Sequence, residues 1–379
     1  MRILGFGTYD TSKHPRMGVI LDGLRAHGDI IIEANSPLGL STAERVRMLE
    51  RPWLLYRLAT RVLSRWVHVL VAAVRARRKG PIDAVIVGYL GQFDVLLARL
   101  LFPRTPVALD LLVFAADTAE DRGVTARIRL GALRLLDGLA CRSADIVLVD
   151  TEEHARRVPG AKARMVEVVP IGASEPWFSA AEADCYHADR PSADRPLKVI
   201  FFGLYTPLQG APVVGEAIRI LADRQDIEFT MVGTGQDYER TRTRAASNER
   251  VTWTDWIEAD ELPRIVAGHD VCLGIFGTTD KAQRVVPNKV YQGAAAGCVI
   301  VTSDTAPQRR ALRDAAIFVR AGDPDALAKE LADLAADRAK TRSYRKASRE
   351  LSSNSFSQAV VVNGLRTALT PRLASSTRT

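Results

Sequence analysis

Short apolar runs alternate with amphipathic stretches along most of this chain. The runs have the length of buried strands, and they lie at Arg2–Gly5, Ala84–Val87, Val107–Leu112, Ile146–Val149, Val199–Phe202, Phe229–Gly235, Val271–Phe276 and Val299–Ser303. The stretches between them, such as Arg16–His27, carry apolar residues at helical spacing. Strands that alternate with helices predict an α/β fold with parallel sheets, whose ligands lie beyond the carboxyl ends of the strands.

The length of the chain predicts two domains. Its 379 residues, of which 47% are hydrophobic, exceed what one typical core contains. We place the first domain at 1–179 and the second at 197–354. Between them, Ala180–Pro196 is polar, contains proline and has no apolar period, which predicts a linker. Residues 355–379 are expected to form a closing helix and a frayed tail.

The segment Leu273–Asp304 has the pattern of a phosphate site. Its apolar strand is followed by a polar loop with Lys281 and Arg284, and Pro287 then opens a helix that carries Lys289. A helix start presents free backbone N–H groups and a partial positive charge. Three cations beside such a start predict an anionic ligand.

Part of this segment, VVPNKVYQGAAAG, resembles the donor-binding segment of GT-B glycosyltransferases of the family 4 type. That family commonly carries two glutamates in the pattern E-x7-E, and their positions here are Arg284 and Gln292. Gln292 is able to hydrogen-bond a donor ribose through its amide, whereas Arg284 cannot replace a carboxylate. The resemblance implies an α/β GT-B fold with two Rossmann-like domains that face each other across a cleft. It also implies a C-terminal helix that crosses back to the first domain.

The loop Gly203–Gly210, GLYTPLQG, resembles the family's diphosphate loop, but Leu204 and Gln209 stand where an Arg and a Lys are usual. Each lost charge-assisted hydrogen bond costs about 1.5–3 kcal/mol, so we expect the three cations of the later segment to compensate. Trp256 is expected either to stack on the nucleobase or to belong to the core. The resemblance implies a donor site formed by Gly203, Tyr205, Gln209, Gly210, Gly233, Gly235, Trp256, Ile257, Asn288 and Gln292.

The resemblance assigns acceptor binding to the first domain. The residues expected there are Gly7, Thr8, Arg16, Gln92 and Asp121. Gln92 stands where related proteins usually have a histidine, so no protonatable group is expected at that position. Asp117 is the candidate for a base or a contact to the acceptor hydroxyl. The alternatives are a solvated charge at a helix start for Arg16, and helix N-terminal charges for Asp117 and Asp121.

The segment Arg51–Lys79 is a basic amphipathic helix or pair of helices. With tryptophan and tyrosine beside its arginines, it is suited to an anionic membrane surface. The alternative is a crossover helix that packs on the sheet with a solvated basic face. The net charge of +8 and the pI near 9.5 likewise indicate an anionic partner or a genome that favours arginine.

Cysteine usage and hydropathy indicate the cellular compartment. Four scattered cysteines without paired spacing imply neither a disulfide framework nor a zinc site. The chain begins with a strand rather than a signal sequence, and no apolar run approaches the ~20 residues of a membrane span. We therefore expect a cytoplasmic protein, with contact to the inner face of the membrane as a hypothesis.

These observations predict a retaining glycosyltransferase that needs no metal and no cofactor beyond its nucleotide-sugar donor, a UDP-, GDP- or TDP-sugar. Lys289, Arg284, Lys281 and the helix dipole would stabilise the leaving diphosphate. The acceptor would be a glycan, a lipid carrier or a small natural product, and no nucleic acid partner is expected. The alternatives are an epimerase of the same fold, a non-catalytic membrane component, and an oxidoreductase. Against the last stands Asp10, where a dinucleotide fingerprint needs glycine.

Overall fold

The computed structural model describes residues 1–11, 14–39, 55–121, 126–160, 165–188 and 195–376. The strands within these ranges are β1 Arg2–Gly7, β2 Ile30–Asn35, β3 Ala84–Val87, β4 Val107–Asp110, β5 Ile146–Val149, β6 Met165–Val168, β7 Leu197–Phe202, β8 Ile227–Val232, β9 Val251–Thr254, β10 Val271–Leu273, β11 Val299–Ser303 and β12 Ala316–Val319. The helices are α1 Arg16–Ala26, α2 Leu55–Arg78, α3 Asp94–Leu101, α4 Ala115–Asp121, α5 Arg127–Ser143, α6 Glu152–Ala155, α7 Glu175–Ala188, α8 Ala211–Ile220, α9 Tyr238–Ala245, α10 Leu262–Ala267, α11 Asn288–Ala295, α12 Ala306–Leu312, α13 Pro324–Ala336, α14 Arg338–Ser355, α15 Gln358–Val361 and α16 Asn363–Ser376.

The chain divides into two compact units. Unit 1 is Met1–Pro170 together with Gln358–Thr379, and unit 2 is Ile171–Ser357. Each unit contains one six-stranded sheet whose pairings are all parallel. The predicted α/β class with two Rossmann-like domains is therefore confirmed.

The sheet of unit 1 has the order β2-β1-β3-β4-β5-β6 and is covered by helices on both faces. The strands β3, β4 and β5 are fully buried and, apart from Asp110 at the end of β4, apolar, as expected for parallel strands covered on both sides. Helices α2, α3 and α5 pack on one face, where Val69, Val95 and Cys141 join the core. Helices α1, α15 and α16 pack on the other.

The C-terminal helices belong to unit 1, as the resemblance implied. Val362 and Leu365 lie in the same core cluster as Met17 of α1. The approach is close, because a Cβ on Gly23 of α1 would lie 2.1 Å from the carbonyl oxygen of Gln358. The last helices therefore stabilise the domain formed by the first part of the chain.

The sheet of unit 2 has the order β12-β11-β10-β7-β8-β9. Its main core lies between this sheet and helices α8, α9 and α13, with Phe229, Val214 and Leu327 among the buried side chains. The order reverses direction between β7 and β10. In doubly wound sheets this reversal opens a crevice beyond the strand ends, where ligands bind.

The boundary between the units differs from the predicted one. The division falls after Pro170, and the predicted linker begins inside helix α7, Glu175–Ala188. This helix packs on α10 and α11, and its Trp177 stacks on Phe202 with the ring centroids 5.9 Å apart. The interpretation as a linker is wrong for Ala180–Ala188 because these tertiary contacts replace the missing apolar period. Residues 189–194 lie outside the described part.

Helix α2, Leu55–Arg78, packs on the sheet of unit 1 through Val69, Ala73 and Ala76. This packing agrees with the alternative prediction, in which the segment is a crossover helix on the sheet. Among the described residues, no helix is long and apolar enough to cross a membrane.

Candidate functional site

Loops that follow β7, β8 and β10 meet at the carboxyl edge of the unit 2 sheet. The amide of Tyr205 donates to the carbonyl of Thr234 at 3.0 Å, which joins the β7 loop to the β8 loop. The amide of Phe276 donates to the carbonyl of Gln209 at 3.0 Å, which joins the β7 loop to the β10 loop. These contacts lie at the reversal of strand order, the position where α/β sheets bind ligands.

Glycines make these loop contacts possible. Gly233 has a φ of +112°, and a Cβ there would lie 2.0 Å from the carbonyl oxygen of Gly203. A Cβ on Gly210 would lie 2.3 Å from the amide nitrogen of Gly277. Any side chain at these positions would push the loops apart. The predicted glycines Gly203, Gly210 and Gly233 are thus brought together, and Gly235 lies against Tyr205 in the same way.

Lys289 lies at the centre of this arrangement. Helix α11 begins at Asn288, with Pro287 as its N-cap and no side-chain cap, so Lys289 is in its first turn. The side chain is only 4% exposed, and its Nζ lies 3.5 Å from the centroid of the Phe201 ring. A Cβ on Gly203 would lie 3.6 Å from that Nζ. The ammonium group therefore lies next to the backbone of the β7 loop at Gly203.

The Lys289 ammonium has no hydrogen-bond partner within the described part of the protein. Burial lowers the pKa of Lys289 from 10.5 to about 7. The titratable side chain nearby, Cys272, gives no counter-charge because burial raises the pKa of its thiol to about 12. A buried cation without an anion is costly, and an incoming anion would offset that cost.

The other predicted cations precede the helix in the chain. Lys281 precedes a short 3₁₀ turn, Ala282–Arg284, and Arg284 is the last residue of that turn; both side chains are partly exposed. Asn288 and Gln292 are half-buried on α11. Helix α11 ends at Ala295, and Gly297 follows with a φ of +78°.

Tyr205 and Trp256 have opposite environments. The Tyr205 side chain is fully buried between Phe201 and Tyr238. The prediction that Tyr205 binds the donor is therefore wrong for its side chain, and only its backbone groups line the β7 loop. Trp256 is 72% exposed and donates from Nε1 to Glu258 at 3.2 Å. The interpretation of Trp256 as a core residue is thereby excluded. Ile257, beside it, is half-buried.

In unit 1 the structure overturns both interpretations of Arg16. The side chain is 1% exposed, so it is neither solvated nor available to an acceptor. Its Nε donates to Asp110 at 2.8 Å and its Nη1 donates to the carbonyl of Val169 at 2.8 Å. A buried arginine requires such partners. Arg16 therefore joins α1, β4 and the chain after β6.

Gln92 and Asp117 also have partners inside unit 1. Gln92 is buried, and its Nε2 donates to the carbonyl of Val113 at 3.1 Å and to Asp137 at 3.4 Å. Asp117 accepts from Arg157 at 3.3 Å near the start of α4. The acceptor role of Gln92 is therefore wrong for its buried amide. Asp121 ends α4, and its side chain lies outside the described part.

Gly7 and Thr8 meet an aspartate that sequence reasoning missed. Asp94 accepts from the Thr8 amide at 2.8 Å and from its Oγ1 at 2.9 Å, and it accepts from Trp66 at 2.7 Å. A Cβ on Gly7 would lie 2.8 Å from the same carboxylate, which explains the glycine. The sequence signal for Asp94 is its position as the one acidic residue at the start of an otherwise largely apolar helix, DVLLARLL.

A second missed pair is Asp150 and His154. Both are buried, and Asp150 Oδ1 lies 2.5 Å from His154 Nδ1. Thr151 caps this helix by accepting from the His154 amide at 3.2 Å. Within the described ranges, no three His, Cys, Asp or Glu residues are grouped so that they could hold a metal ion.

Unit 2 was compared with models of known protein families. Residues 196–337 match the family model described as glycosyl transferases group 1. The match lies wholly inside unit 2, so unit 2 resembles a group 1 glycosyl transferase domain. The matched range includes the loops around Gly203 and Gly233 and the whole of helix α11.

Solved structures show that the complete chain has the GT-B fold. The sucrose-phosphate synthase of Thermosynechococcus elongatus matches with a TM-score of 0.69 at 16% identity, covering 100% of both chains. Anabaena Alr3699/HepE in complex with UDP matches with a TM-score of 0.65 at 13% identity, covering 98% of this chain and 100% of that one. An alpha,alpha-trehalose-phosphate synthase (UDP-forming) from Burkholderia vietnamiensis matches with a TM-score of 0.65 at 13% identity, covering 99% of each.

A comparison with curated protein sequences finds no match. The predicted GT-B architecture is confirmed. Within the matched range, the two positions of the E-x7-E pattern are Arg284, at the end of the 3₁₀ turn, and Gln292, on α11.

Proposed function

We propose that this protein is a retaining, metal-independent glycosyltransferase that uses a nucleotide-sugar donor. The donor binds at the carboxyl edge of the unit 2 sheet, and its diphosphate lies against the β7 loop and the start of α11. The observation that carries this proposal is the buried Lys289 ammonium, which has no hydrogen-bond partner among the described residues and lies close to Gly203. A diphosphate would supply the missing counter-charge.

The chemistry expected at this edge is electrostatic stabilisation of the leaving group. Negative charge develops on the diphosphate as the glycosidic bond breaks, and a cation already fixed in a dry site stabilises it without reorganisation. An anion nearby raises the pKa of Lys289 again, so the lysine takes up a proton as the donor binds. The free N–H groups at the start of α11 add to the stabilisation.

The solved structures support a UDP-sugar as the first donor to test. Anabaena Alr3699/HepE was crystallised with UDP and with UDP-glucose. The exposed Trp256 follows β9 and is available to stack on a base. We assign the acceptor hydroxyl to unit 1, with Asp117 as its contact, because Asp117 is partly exposed whereas Arg16 and Gln92 are buried.

The decisive experiment is a thermal-shift panel with UDP, GDP, TDP, ADP and NAD on the wild type and on Lys289→Met. Methionine keeps the length of the buried side chain and removes the charge. Lys346→Met is the matched control, since Lys346 lies in the same unit with its side chain 79% exposed. Ligand at a hundredfold excess over its dissociation constant stabilises a protein by about 2.7 kcal/mol.

We expect one nucleoside diphosphate to stabilise the wild type and the control, but not Lys289→Met. Stabilisation of all three proteins alike would remove Lys289 from the donor site. Stabilisation by NAD alone would favour an oxidoreductase, and no stabilisation by any nucleotide would favour a component without catalysis.

Product analysis tests the reaction itself. With the identified donor and an acceptor panel, we expect a product that retains the donor's anomeric configuration and is formed in EDTA. Loss of activity in EDTA would contradict metal independence, and an inverted product would contradict retention. Conversion of the donor sugar without any acceptor would identify an epimerase instead.

A further inference from the structure

The positive charge of this protein is concentrated in one segment. Residues 51–79 contain eight of the 52 Lys and Arg residues and none of the 44 Asp and Glu residues. The rest of the chain, with 44 residues of each sign, is therefore formally neutral, and the net charge of +8 resides in this segment. A genome that favours arginine would raise the positive charge along the whole chain and would not concentrate it in one segment.

Helix α2, which makes up most of this segment, is apolar on two opposite sides. One side packs on the sheet through Val69, Ala73 and Ala76. The other side carries large apolar residues that are exposed and recur at helical spacing, namely Tyr56, Leu63, Val67, Leu70, Val71 and Val74. A row of exposed arginines, which includes Arg57, Arg61 and Arg75, runs beside that apolar stripe.

The neighbouring helices on this face of the unit 1 sheet have the same character. Helices α2, α3 and α5 pack against the same core cluster. The flank of α3 exposes Phe93 and Leu100, and α5 exposes Ile128, Leu135 and Leu139. We call the outer surface of these three helices the apolar-basic face. Eleven of the seventeen exposed large apolar residues in the described part of the chain lie on it.

Acidic side chains are absent from the exposed part of this face within the described residues. Helix α2 contains no Asp or Glu, α3 contains only Asp94, and α5 contains only Asp137. Both aspartates are buried and accept hydrogen bonds inside the unit. Helix α5 adds further arginines, among them Arg127, Arg129 and Arg134. The face therefore combines an apolar surface with cations only.

We propose that the apolar-basic face docks on a bilayer surface rich in anionic phospholipid. Its apolar side chains would enter the boundary between headgroups and acyl chains, and its arginines would meet the lipid phosphates. The charge pattern favours this partner over a second copy of the chain, because two such faces would repel each other. The inference is independent of the donor site, which lies in the other unit.

Vesicle co-sedimentation of the full chain tests this docking. The probes are vesicles of phosphatidylcholine alone and vesicles that also contain phosphatidylglycerol, each at low and high salt. Val67→Glu places a carboxylate in the middle of the apolar stripe. Because Val67 is 59% exposed, we expect the variant to fold like the wild type. Ile30→Glu is the matched control, because Ile30 is 62% exposed in the same unit but lies outside the face.

A second pair of variants tests the charges. Arg57→Gln/Arg61→Gln removes two exposed cations from the face, and Arg240→Gln/Arg264→Gln removes two exposed cations from unit 2. Each arginine near an anionic surface strengthens binding about fivefold, so removal of the first pair is expected to weaken partitioning about twenty-five-fold. The control pair is expected to leave it unchanged.

The expected result is binding to the anionic vesicles only, weakened by salt, and lost in Val67→Glu but not in Ile30→Glu. Absence of binding to both vesicle types would overturn the proposal, and equal binding to both would overturn the role of anionic lipid. A dimer in solution that Val67→Glu dissociates, without vesicle binding, would show that the face is a self-interface.

Discussion

Both parallel sheets have a carboxyl edge with buried polar side chains, but these side chains find hydrogen-bond partners to different extents in the two units. At the carboxyl edge of unit 1, Arg16 meets Asp110, Thr8 meets Asp94, and Gln92 meets Asp137. At the same edge of unit 2, the buried Lys289 has no such partner among the described residues. The named side chains of unit 1 therefore each have a carboxylate partner without a ligand, whereas the buried Lys289 ammonium of unit 2 has no hydrogen-bond partner among the described residues. Binding sites commonly keep such a cost in the unliganded protein.

The largest expected effect comes from breaking the pairing in unit 1. Arg16→Leu should lower the free energy of unfolding by about 3–5 kcal/mol, because it leaves the Asp110 carboxylate buried beside an apolar side chain. Urea unfolding measures this loss. Arg16→Leu/Asp110→Leu should recover a large part of it, since both charges are then gone. A double variant as unstable as the sum of the single variants would show that the pair is not coupled.

Removal of the unpaired charge in unit 2 should have the opposite sign. Lys289→Met should raise the free energy of unfolding without ligand by about 2–4 kcal/mol at pH 6. The pKa of Lys289 is about 7 in the folded protein and 10.5 in the unfolded chain, so the unfolded chain holds more protons between these values. Wild-type stability therefore rises with pH across this window, and the advantage of the variant shrinks toward pH 10. Parallel urea titrations at pH 6 and pH 10 would reveal this trend, and a constant difference would contradict it.

A smaller effect is expected from separating the loops of unit 2. Gly233→Ala should cost roughly 1–3 kcal/mol, because the φ of +112° and the carbonyl of Gly203 both exclude a Cβ. It should also weaken nucleotide binding, since the β7 loop must move. Gly268→Ala is the control in the same unit, where the nearest atom to the new Cβ would be 3.4 Å away. Calorimetric titration with the stabilising nucleotide would compare them, and equal affinities would place the ligand away from these loops.

The smallest change in stability is expected at Trp256. Trp256→Ala should leave the unfolding free energy within about 0.5 kcal/mol, because the side chain is 72% exposed. If it stacks on the base, nucleotide affinity should fall about tenfold. Calorimetric titration of wild type and variant measures this fall, and an unchanged dissociation constant would remove Trp256 from the donor site.

Much of the fold was readable from local pattern. The predicted strands Ala84–Val87, Ile146–Val149 and Val299–Ser303 have the observed bounds, because continuous apolar runs of this length are typical of parallel strands. The strand, cationic loop and helix around Lys289 were also predicted, since proline and glycine mark the helix ends. Strands β2, β6, β9 and β12 escaped prediction. Helix α7 was mistaken for linker because its stability comes from packing on α10 and α11.

The sequence by itself determined the alternation of elements, the glycines that loops need, and the cations that precede and open helix α11. Only the tertiary structure decided which polar groups have partners. Arg16 and Lys289 are both basic residues near a helix start, yet one lies beside Asp110 and the other beside a phenylalanine ring. Partners that are distant in the chain leave no local signal. The same reason applies to the apolar-basic face, whose residues lie on three helices and form one surface only when those helices pack on the same side of a sheet.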